Sequence, residues 1–93
     1  MDRYKVYSQM IKKYGQKAQM LIAVEEMSEL QKEVLKFLRG RCNQRNIAEE
    51  IADVEIMLEQ LVLMFDNRKE VDYFKDNKIS RTNKLYLEGE SNE

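Results

Sequence analysis

No proline occurs anywhere in the 93 residues, and glycine occurs only three times. Sheets of many short strands need turn residues at roughly 8–12-residue spacing, so a sandwich or barrel is excluded and an all-α fold is expected. Hydrophobic residues make up 43% of the chain and charged residues 35%, a mixture that suits strongly amphipathic helices better than disorder. The length corresponds to one domain, and no Pro-, Gly- or Ser-rich stretch divides it.

The same composition removes several classes of chemistry. Sixteen Lys and Arg against 17 Asp and Glu leave a formal charge of −1, which argues against a generic polyanion binder, and no nucleic-acid partner is expected. One cysteine and no histidine exclude an internal disulfide, the usual structural zinc sites and any Ser–His or Cys–His nucleophile pair. Any catalysis must therefore run on carboxylates, lysines or a metal held by oxygen. The amino end carries no signal-peptide pattern, and no apolar run approaches the roughly 20 residues needed to span a bilayer. A cytoplasmic protein with no membrane partner is expected.

Apolar spacing places a short helix over about Asp2–Lys13, interrupted at Gly15, and a long one over Gln16–Arg39. Gly40 is expected to end the second helix in a left-handed conformation. Asn46 and Glu49 read as a capping box opening a third helix, Ile47 to about Phe65. The later half of that helix, from Ile56 to Phe65, is apolar around most of its circumference and needs cover that so small a domain cannot easily supply, which points to self-association. A moderately amphipathic fourth helix is expected to reach Tyr86. Residues 1–87 form the single all-α domain in this reading, and 88–93 an acidic tail expected to be disordered. The expected architecture is a four-helix bundle-like protomer with two long antiparallel helices, assembling into an oligomeric helical bundle.

Two acidic blocks carry the functional reading. Glu25-Glu26-Met27-Ser28-Glu29 lies on the second helix and Glu49-Glu50-Ile51-Ala52-Asp53 on the third. An i, i+3 step puts Glu26 and Glu29 on one face, and likewise Glu50 and Asp53. A third such step, Glu90 to Glu93, falls in the polar tail. Helices joined by a short loop run antiparallel, so the first two steps can meet if their heights agree, and counting about 1.5 Å per residue leaves them roughly one turn apart. Four converging carboxylates offer only hard oxygen donors, which select Mg²⁺, or Mn²⁺ in its place. The alternative is a solvated acidic face with Glu49 acting only as a cap.

The order Glu-Glu-x-x-Glu on one helix and Glu-x-x-Asp on the next resembles the MazG-like members of the all-α nucleoside triphosphate pyrophosphohydrolase superfamily. The likeness covers roughly Gly15 to Phe65. It implies Mg²⁺-dependent cleavage of a nucleoside triphosphate between its α and β phosphates, and assembly as a dimer or tetramer. Carried onto this chain, Glu26, Glu29, Glu50 and Asp53 would be the metal ligands and catalytic residues, with Glu25 and Glu49 in support. By the same likeness Gln19 and Ile22 would line a base pocket. Lys75, Lys78 and Arg81 on the fourth helix could reach a substrate phosphate, although a solvated basic face is the plainer reading. Met10, Met20, Met27, Met57 and Met64 read as core or interface filling, and Cys42 as a loop thiol without a catalytic partner. The rival reading of the whole is a non-catalytic helical module that binds another protein. A di-iron carboxylate bundle is disfavoured by the missing histidines.

Overall fold

The computed structural model describes residues 1–41 and 43–88; Cys42 and positions 89–93 of the acidic tail lie outside the described residues. Helices α1 (Arg3–Tyr14), α2 (Gln16–Leu38), α3 (Gln44–Phe65) and α4 (Arg68–Thr82) follow one another, and a π-helical segment over Asn83–Glu88 continues α4. The all-α, four-helix architecture agrees with the sequence reading, and no strand occurs among the described residues. Glu88, assigned from sequence to the tail, closes the π-helical segment.

Local signals explain the boundaries. Asp2 caps α1, its side chain accepting from the Lys5 amide at 3.2 Å. Gly15 then takes φ +89°, a backbone conformation open to glycine, and separates α1 from α2. At the far end of α2, Gly40 sits at φ +73°, as expected. The Gly40 amide donates to the Phe37 carbonyl and the Arg41 amide to the Lys36 carbonyl, both at 2.9 Å, the paired bonds of a Schellman ending. The start of α3 corrects the sequence reading. Asn43, not Asn46, is the cap; it accepts from the Asn46 amide at 3.0 Å, and the helix begins at Gln44. Asn43 offers the same capping chemistry one turn earlier, and the longer helix satisfies more backbone groups. Glu49 instead lies 3.6 Å from Arg45 in an exposed i, i+4 pair.

The core sits where α2 and α3 pack along their lengths, with α1 laid against both. Its buried apolar residues are Tyr7, Ala23, Val54 and Met57. Gln19 and Gln60, 1% and 3% exposed, cross the α2–α3 seam through a 2.8 Å hydrogen bond from Gln19 Nε2 to Gln60 Oε1. Tyr7 donates its hydroxyl to Glu59, tying α1 to α3. Of the methionines read as core, Met57 is buried and Met64 half-buried, whereas Met10, Met20 and Met27 remain exposed in the single chain. Helix α4 packs only against α3 and the π-helical segment, and buries no residue of its own. Of the apolar residues expected to make the fourth helix amphipathic, Val71 is half-buried beside α3, whereas Phe74 and Ile79 stay exposed within this chain. No helix among the described residues is long and apolar enough to cross a membrane.

Candidate metal centre

The Gln19–Gln60 bond fixes the register of the two long helices. Glu26 lies seven residues after Gln19, and Asp53 seven residues before Gln60. Seven residues are about two helical turns, so in an antiparallel pair Glu26 and Asp53 return to the same face at the same level. By the same count Glu29 stands level with Glu50. The seam that buries the two glutamines therefore leads, two turns further on, into the acidic blocks.

Carboxylate oxygens of Glu26, Glu50 and Asp53 all lie within 4.8 Å of one another. Glu26 and Glu50 are half-buried and Asp53 is exposed, so the cluster is anchored in the seam and open on one side. Oxygen Oε2 of Glu50 is buried without a hydrogen-bond partner among the described residues. Burial raises the Glu26 carboxyl above its ordinary value of 4.5, followed by the charges of Asp53 and Glu50, a hydrogen bond with Asp53, and the charge of Glu29. Burial likewise raises Glu50, followed by the charges of Asp53, Glu29, Glu33 and Glu49.

Three of the four carboxylates singled out from sequence are thus gathered. Glu29 is not: its carboxylate turns along the exposed side of α2 to Lys32, 3.3 Å away. The cause is local, since Lys32 lies one turn on and offers an ion pair that the crowded seam does not. Glu33, whose charge also reaches Glu50, was missed. The signal was present, because Glu26, Glu29 and Glu33 stand at i, i+3 and i+7 on one face. Gln19 does not line an open pocket in this chain but forms the seam. Ile22 is half-buried one turn beyond it.

The basic residues proposed for phosphates are elsewhere. Lys75 borders a groove of about 660 Å³ between α3 and α4, together with Phe65, Arg68 and Val71. Lys78 lies in a hollow with Ile79 and Leu87, and Arg81 in another with Lys84 and Leu85. Because α4 does not touch α2, none of the three is brought to the acidic cluster within one chain.

The donor set is all oxygen, which suits a hard divalent cation rather than zinc or copper. The unpartnered Glu50 oxygen, held beside two further carboxylates, is the polar atom such an ion would satisfy. Comparison with protein-family models, curated proteins and solved structures gives no significant match.

Proposed function

We propose that this chain is a Mg²⁺-dependent nucleoside triphosphate pyrophosphohydrolase of the MazG-like kind. It would cleave ribo- or deoxyribonucleoside triphosphates to monophosphate and pyrophosphate in cytoplasmic nucleotide-pool house-cleaning, as a homodimer or homotetramer. The observation that carries this reading is the convergence of Glu26, Glu50 and Asp53 across the α2–α3 seam, around a buried carboxylate oxygen that lacks a partner.

Glu26, Glu50 and Asp53 would hold the cation, and Glu29 is the fourth donor assigned by the reading, reached by giving up Lys32. Bound Mg²⁺ supplies charge neutralisation and Lewis acidity to the triphosphate. One carboxylate of the set accepts the proton of the attacking water as the bond between the α and β phosphates breaks. Partial burial in the seam holds Glu26 and Glu50 in place, and positioning with charge neutralisation is what phosphoryl-type transfer chiefly requires. The absence of histidine is no obstacle to this chemistry.

The test is a panel of common ribo- and deoxyribonucleoside triphosphates with Mg²⁺, followed by product analysis. Monophosphate plus pyrophosphate is the expected outcome, and orthophosphate release contradicts the reaction class. The exposed apolar residues of α2 and α4 support a second reading, a non-catalytic helical interaction module. That reading gains if neither Mg²⁺ nor Mn²⁺ stabilises the protein and no triphosphate is turned over.

A further inference from the structure

From Met20 to Leu38, helix α2 follows a seven-residue repeat. Met20, Val24, Met27, Gln31, Val34 and Leu38 recur at steps of four and three, the spacing of a helix–helix seam. The positions flanking that stripe are Leu21, Ala23, Ser28, Leu30, Leu35 and Phe37. No charge occurs on the stripe or its flanks; every charged residue between 20 and 38 falls on the remaining positions of the repeat. The contact with α3 uses a neighbouring face, the one holding Gln19, Ala23 and Glu26. Met20, Val24, Met27, Val34 and Leu38 are consequently exposed, and Met27, Leu30, Gln31, Val34 and Leu35 line an open apolar groove of about 560 Å³.

The whole chain shows the same deficit of cover. Its accessible surface is 7914 Å², whereas a folded monomer of 11.2 kDa exposes about 5,700 Å². The excess is roughly 2,200 Å² per chain, and obligate homodimer interfaces bury about 2,000–5,000 Å² in total. The radius of gyration, 17.1 Å, compares with about 12 Å for a compact domain of this length.

We infer that the α2 stripe is the interface with a second copy of this chain, formed by α2 against α2 in antiparallel, two-fold pairing. Steps of 4, 3, 4, 3 and 4 read the same in either direction. A two-fold axis at the middle of the stripe therefore sets Met20 against Leu38, Val24 against Val34 and Met27 against Gln31 of the other copy, each twice. A charge-free face with reversible spacing suits its own copy and demands no complementary charge from a different protein. The assignment rests on the proposed function only in its expectation of an assembly, and not on the chemistry of the carboxylates.

The test needs no nucleotide. Sedimentation equilibrium of the full chain is expected to give a dimer, or a tetramer containing this dimer, and Val24→Glu with Val34→Glu should weaken the α2 contact about a hundredfold or more. Gln31→Leu, which removes the polar residue from the stripe, should tighten it about tenfold. That second change stays informative if circular dichroism shows the double variant unfolded. In a Cys42→Ser background, Val24→Cys and Val34→Cys chains mixed together should form a disulfide with each other and neither with itself. A monomeric wild type, an assembly indifferent to Val24, Val34 and Gln31, or self-crosslinking of each single variant would overturn the inference. Triphosphate turnover by a monomer would sink the interface and leave the proposed activity; an α2-paired dimer without turnover would do the reverse.

Discussion

Glu26 and Glu50 carry a cost that the metal-free fold bears alone. Both carboxyls titrate above the ordinary 4.5 when folded, so protons bind the native state more readily than the unfolded one. Repulsion within the cluster is fully present above the raised values and is relieved as pH falls through them, with the relief complete below the unfolded value. Glu26→Gln removes one of the charges. Without metal, the variant is expected to melt above wild type at about pH 7, and the difference should vanish toward about pH 4.5; thermal denaturation across that range checks it, and a pH-independent difference contradicts it. With Mg²⁺ present the direction reverses, because the variant has lost a ligand. Glu29→Ala or Asp53→Ala is expected to abolish Mg²⁺-dependent pyrophosphate release while circular dichroism shows the helices intact. Gln60 belongs to the same seam but to stability. Gln60→Leu strands the buried Gln19 amide, whose Oε1 already lacks a partner, and should cost about 1–3 kcal/mol by urea titration. Adding Gln19→Leu should return part of that loss, since an apolar pair leaves nothing unsatisfied.

The helices themselves were legible because apolar spacing repeats over many turns in α2 and α3, and Gly40 marked the end of α2 as the structure has it. Boundaries were less so where two residues offered the same chemistry: Asn43 and Asn46 can each cap α3, and sequence does not say which carbonyls and amides remain to be satisfied. Of the acidic site, Glu26, Glu50 and Asp53 were readable from their i, i+3 steps on neighbouring helices. The turn of Glu29 toward Lys32 was not, because it depends on a side-chain choice between two nearby partners. The contact of Gln19 with Gln60 was not legible, because nothing local reveals that a glutamine 41 positions away will meet it. Glycine chemistry gives a test at this scale. An added Cβ meets nothing within 4 Å at Gly15 or Gly40, so any penalty is purely in the backbone. Gly15, at φ +89° and ψ 155°, lies where side chains are strongly disfavoured, and Gly15→Ala should cost about 1–3 kcal/mol. Gly40→Asn should lose less than Gly40→Ala, since asparagine tolerates the left-handed region. Thermal unfolding of the three variants ranks them directly.

At the scale of the molecule, the acidic cluster and the core are one structure, since both lie on the α2–α3 seam and share its register. The arm formed by α4 and the π-helical segment has no part in either, which is why its lysines are remote from the carboxylates in a single chain. A cation held by Glu26, Glu50 and Asp53 would join the two longest helices at a point where they otherwise repel. Stabilisation by a ligand that binds only the folded state grows as the logarithm of its concentration, and reaches about 2.7 kcal/mol at a hundred times the dissociation constant. For a domain of this size, each kcal/mol moves the melting temperature by about 4–8 °C. Saturating Mg²⁺ or Mn²⁺ is therefore expected to raise Tm by roughly 10–20 °C. Sodium chloride at matched ionic strength separates specific binding from screening, and the Asp53→Ala variant should show little of the shift. A wild-type melting curve that divalent cations leave in place would mean that the three carboxylates gather without holding a metal.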